Sequence, residues 1–104
     1  MLMAVALTVS AAGYKPADVP DVHAADRTQY VSNPDGLLSR EAVARLNAEL
    51  GRVWQTTTAE PVVVAVKSLD PGYDEVTFAN DLFQQWKIGK ADKDNGLLLL
   101  IVGD

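Results

Sequence analysis

The chain contains no cysteine, and that single absence removes disulfide scaffolds, cysteine-ligated zinc, iron–sulfur clusters and thiol nucleophiles together. Histidine is nearly absent too. His23 is the only one, so a catalytic triad or a histidine metal site would rest on one ring. Basic residues are few: nine Lys and Arg against fourteen Asp and Glu give a net charge of −5. Binding along a phosphate backbone needs clustered cations, so nucleic acid is not an expected partner. Aromatic side chains make up only 7 % of the chain. The uncharged run at the N-terminus falls well short of the roughly 20 apolar residues that span a bilayer. What is present is an ordinary globular balance, 48 % apolar and 22 % charged in 104 residues, enough for one small domain.

Residues 1–12, MLMAVALTVSAA, carry no charge and end in small residues. That matches the apolar core and cleavage region of a secretory signal, cut after Ser10-Ala11-Ala12, although the usual basic flank is missing. The stretch is therefore read as a signal-peptide remnant, and the expected location is the periplasm or cell envelope. Residues 13–28 change character abruptly. Two prolines, several Asp and no periodicity read as an extended linker. Residues 29–104 form the expected domain. Their last stretch, GLLLLIVGD, has the pattern of a buried strand, and a domain seldom closes on its most apolar strand. The expectation is that 29–104 are the front portion of a larger domain.

Inside that region the periodicity is clear. Ser39 can cap a helix over about 40–55, whose apolar stripe is Val43, Leu46, Leu50 and Val53, with Trp54 at its edge and open to a partner. The run PVVVAV at 61–66 fits a strand covered on both faces. Pro71-Gly72 marks a turn. A second helix begins near Asp74 and presents Ala79, Leu82, Phe83 and Trp86 on one face, with Val76 and Phe78 beside them and Gly89 as its C-terminal glycine. Residues 97–102 form a second apolar strand. Strand, helix, strand with both strands apolar throughout implies a parallel pair. The expected fold is α/β, a parallel or mixed β-sheet with helices packed on its faces as an α/β/α sandwich.

Three segments then occur in order: VSNPDGLLS at 31–39, LFQQWKIG at 82–89 and DNGLLLL at 94–100. Together they resemble the TPM-domain family, also called the TPM-phosphatase domain, over about residues 29–104. The resemblance implies an α/β sandwich in the cell envelope and marks Trp86, Gly89 and Gly96 as structural signature positions. It also implies that a further strand, a glycine-rich motif and more helix follow in the complete family domain. Acid phosphatase activity has been attributed to a plant member. Other members look like accessory factors for membrane complexes, which implies membrane-associated protein partners and a full-length protein that is itself membrane-anchored. Whether the chain is an enzyme stays open on this reading.

The chemistry the residues themselves offer is carboxylate chemistry. Asp35 resembles the family's recurrent acidic position and could serve a metal or phosphate site; equally, Asn33-Pro34-Asp35-Gly36 has the composition of a β-turn leading into the Ser39 cap. Asp92, Asp94 and Asn95 before Gly96 suit a hard cation, Ca²⁺ or Mg²⁺, but fail the EF-hand spacing, with glycine at the fifth position and no glutamate at the twelfth. Asp70 and Asp104 each follow a strand, where open parallel sheets bind ligands. Asp35, Asp94, Asn95 and Asp104 are thus the candidate metal or ligand residues. No Cys-x5-Arg loop, strand-borne Asp-x-Asp pair or Gly-x-Ser-x-Gly elbow supplies a nucleophile, and no glycine-rich phosphate loop is present. Two function classes follow: an exported accessory factor in the assembly or maintenance of membrane protein complexes, or a divalent-metal-assisted acid phosphatase acting on phosphate monoesters.

Overall fold

The computed structural model of the chain describes residues 13–90 and 94–103; residues 1–12, Asp92 and Asp104 lie outside them. A 3-10 turn, Pro16–Asp18, precedes α1 (Val22–Ala25), β1 (Val31–Ser32), α2 (Arg40–Thr56), β2 (Glu60–Val66), α3 (Glu75–Trp86) and β3 (Gly96–Val102). The three strands form one parallel sheet in the order β1-β2-β3. This is the α/β fold that two apolar strands joined by a helix imply.

Central β2 explains the core. Val62 to Val66 are all buried because neighbouring strands flank them and side chains alternate onto two faces. On one face Val64 and Val66 meet Phe78 and Leu82 of α3, with Val19 completing the cluster and Leu98 and Leu100 packed against it. On the other face the register sets Val31, Val63 and Leu99 side by side. Val31 there shares a cleft with Val43, Ala44 and Asn47 of α2. That cover stops short of β3, where Leu97 and Leu99 remain 59 % and 54 % exposed.

Capping sets the helix limits. The Ser39 hydroxyl accepts from Ala42 N–H at 3.1 Å, and the Asp74 carboxylate accepts from Thr77 N–H at 2.7 Å. That second bond holds the Asp74 carboxyl below its ordinary pKa. The far end of α3 departs from the sequence expectation. Lys87, not Gly89, takes the left-handed conformation that ends the helix, with φ 52°, and its N–H reaches back to the Gln84 and Phe83 carbonyls.

Residues 13–28 have the composition of a linker, yet their described structure is packed onto the sheet. Tyr14 N–H donates to Ser68 O at 3.1 Å and Tyr14 O accepts from Asp70 N–H at 2.8 Å, a parallel bridge just beyond β2. Pro16 and Val19 are buried against the α3 side of the sheet. The buried Ser32 hydroxyl donates to Pro20 O at 2.6 Å, so the one buried polar side chain among the described residues is satisfied.

Candidate functional site

At the carboxyl end of the sheet, the turn residues place a carboxylate. Gly36 N–H donates to Asn33 O at 3.2 Å, and the Asn33 amide closes the loop by donating to Leu38 O and accepting from Leu38 N–H, at 2.9 and 3.1 Å. Both readings of Asn33-Pro34-Asp35-Gly36 therefore apply at once: it is a turn, and it presents Asp35. One Asp35 oxygen accepts from the Tyr14 hydroxyl at 2.8 Å and the other from Lys67 N–H at 3.0 Å. Asp35 thereby ties the N-terminal segment, the β1–α2 loop and the end of β2 together. Asp70 instead accepts from Gly72 N–H at 2.9 Å and shapes its own turn.

The Tyr14 phenol is pushed up from its ordinary value near 10 to about 12, first by burial, then by the hydrogen bond it donates to Asp35 and the negative charges of Asp35 and Asp18. Its charged form is the phenolate, so the folded state holds the proton more tightly than the unfolded chain. This contribution is complete below pH 10 and is lost as pH rises from 10 through about 12. In an ultraviolet pH titration, Tyr14→Phe should remove the phenol component near pH 12, and Asp35→Asn should move it down towards 10. Phenols that all ionise near 10 in the folded wild-type protein contradict the assignment.

The remaining carboxylates do not join Asp35. Asp94 is exposed at the amino end of β3, where Asn95 O accepts from Glu60 N–H at the start of β2. Asp35, bonded just past the end of β2, is separated from it by the strand's length, about 20 Å at roughly 3.3 Å per residue. Asp104 lies outside the described residues. Among the described residues, no three His, Asp or Glu side chains are grouped as a metal ion requires. Asp94, with φ 48°, uses the tolerance of Asp for the left-handed region. Asn95 braces the loop, accepting from Lys90 N–H at 2.7 Å and donating to Thr58 O at 2.6 Å.

The signature glycines beside them are a mutual close approach. A Cβ on Gly89, whose φ is +79°, would lie 2.4 Å from Gly96 N, and one on Gly96 would lie 2.6 Å from Ile88 O. Trp86 packs half-buried against the core cluster, as an apolar-face anchor should.

His23 has surroundings that sequence pattern does not disclose. Its ring stacks on Tyr30 with centroids 4.8 Å apart and packs tilted on Trp54 at 4.6 Å, with Trp54 and Tyr30 5.6 Å apart. Trp54 is fixed in this cluster by donating its indole N–H to Pro61 O at 2.9 Å. A one-turn helix such as α1 leaves no periodic signal; the Asp21 cap, which accepts from Ala24 N–H, is the available one.

The TPM domain family model matches residues 31–104. Among solved structures, the chain is similar to the N-terminal domain of a protein from P. gingivalis, determined in solution by NMR. The two share 37 % sequence identity with a TM-score of 0.77, over 88 % of this chain and 58 % of that one. The chain thus spans little more than half the length of that structure. No curated protein matches it. The family match takes in the Asp35 turn, both main helices, β2, β3 and the paired glycines, and the chain belongs to the TPM domain family.

Proposed function

We propose that the protein is an exported, envelope-associated TPM module that acts as an accessory factor in the assembly or maintenance of membrane protein complexes. One observation carries this reading. Leu97 and Leu99, side by side on the outer face of β3, stay more than half exposed although the same face of β1 and β2 is buried. Exposed apolar side chains grouped together on a protein surface mark a site of contact with another molecule. The uncharged residues 1–12 support export. The contact proposed is with proteins of the complex; among the described residues no helix is long and apolar enough to cross a membrane.

The phosphatase alternative asks Asp35, Asp94 and Asp104 to share Ca²⁺ or Mg²⁺, and the separation of Asp35 from Asp94 across the sheet gives it no support. The test is a photo-crosslinking residue at position 99 in the full-length protein, expressed in its host. Adducts with membrane-complex subunits in the envelope fraction, lost in a Leu97→Lys variant that melts like wild type, are the expected result. Adducts unchanged by Leu97→Lys, or a protein confined to the cytosolic fraction, overturn the reading.

A further inference from the structure

A cleft of about 300 Å³ opens at the amino end of the sheet, on the side remote from Asp35. Its apolar wall is formed by Trp54, Trp86 and Val62, and its rim by His23, Arg27 and Lys87. Both tryptophans of the chain line it. Neither indole is loosely held: Trp54 is tied to Pro61 O and clamped by His23, and Trp86 is packed on the core. Rigid aromatic walls of this kind take flat, polarisable rings by stacking.

The rim fixes the charge. The acidic groups at the cleft are already committed: Asp21 caps α1, and Glu60 is paired with Lys90. Arg27 and Lys87 have no side-chain hydrogen-bond or ion-pair partner among the described residues. His23 Nδ1 lies 2.9 Å from Gln29 O, and a carbonyl only accepts, so Nδ1 carries the hydrogen and Nε2 is left without a partner among the described residues. In a chain of net charge −5, three of the nine Lys and Arg therefore border one cleft, and two of them are uncommitted.

We propose that this cleft binds a small planar aromatic anion, its ring between the Trp54 and Trp86 side chains and its acid group on Arg27 and Lys87. The volume, at the low end for ligand sites, limits the ring system to about two fused rings. His23 and Arg27 precede the segment matched by the family, so the site goes beyond the family assignment.

The probe is 2-naphthoate, titrated into ¹⁵N-labelled full chain while the two indole N–H signals are followed, one for each tryptophan. The expected result is saturable shifts of both signals. Affinity should fall about fivefold in Arg27→Gln and in Lys87→Gln, as expected on losing a partly solvated charge-assisted contact. Neutral 2-naphthylmethanol and non-aromatic cyclohexanecarboxylate should each bind at least about fivefold more weakly, since each lacks one of the two recognised features. The proposal is overturned by the absence of saturable indole shifts at millimolar naphthoate. It is equally overturned by affinity indifferent to both substitutions, or by the neutral or the non-aromatic analogue binding as well as naphthoate.

Discussion

Gly89→Ala should lower the unfolding free energy by about 2–4 kcal/mol, the sum of a left-handed backbone penalty and an unrelieved backbone clash. Gly89 has φ +79°, and its missing Cβ would meet Gly96 N at 2.4 Å, Gly96 Cα at 2.6 Å and Asn95 Oδ1 at 3.0 Å. Two of these three atoms are main chain at the first residue of β3, so no rotamer change relieves the contact. The strand would have to move, and with it the Asn95 O bond to Glu60 N–H that starts the β2–β3 ladder. Gly36 supplies the control. Its φ is +66° but nothing lies within 4 Å of the place an added Cβ would occupy, so Gly36→Ala should cost only the backbone term, about 1 kcal/mol. Urea unfolding of the two variants separates the effects. Equal losses would mean that the close approach to Gly96 contributes nothing.

Phe78→Ala should cost about 3–5 kcal/mol, a large share of the roughly 5–15 kcal/mol that holds a small domain together. The side chain is fully buried and meets Val64, Val66, Leu82 and Val19, so truncation leaves a cavity where helix, sheet and N-terminal segment join. It also loses the edge-on contact with Tyr73, whose ring lies 5.8 Å away at 87°. Val76→Ala, two residues earlier, should cost less than about 0.5 kcal/mol, because Val76 is 71 % exposed. Thermal melts of the pair decide the point: similar melting temperatures would show that α3 is not anchored through Phe78.

That contrast also shows how far sequence reasoning reaches. The 3.6-residue stripe locates α2 and α3 to within a residue or two, a β-branched run locates β2 and a continuous apolar run rich in leucine locates β3, because burial there follows pattern. Val76 falls beside the stripe on the helical wheel and outside the core in space, since the sheet covers a narrower arc of α3 than the stripe allows. Residues 13–28 are opaque to pattern. Prolines set Pro16 and Val19 into the core through a 3-10 turn and a single bridge, neither of which repeats along the chain. Asp35 is legible as a candidate from its turn and its resemblance, but its partners are not. Tyr14 lies 21 residues before it and Lys67 lies 32 after it, distances at which local pattern carries no information. Asp94 and Asn95 are legible as the loop that enters β3, but misleading as partners of Asp35. The reason is that β1 is only two residues long and leaves no pattern that sets the Asp35 turn at the opposite, carboxyl end of the parallel sheet.

The register has a kinetic consequence. Val31 pairs with Val63 and Glu60 with Gly96, and no hairpin anywhere joins neighbouring strands among the described residues. Every strand pairing must therefore close a loop that contains a whole helix before its first hydrogen bond forms, and the entropy of that closure comes due ahead of any reward. Helices α2 and α3, whose bonds are local, can flicker in and out on their own far sooner than the sheet. The rate-determining event for this chain is then the moment β2 is captured between its two neighbours, and substitutions in the middle of β2 should slow folding while those on the outer face of α2 mainly speed unfolding.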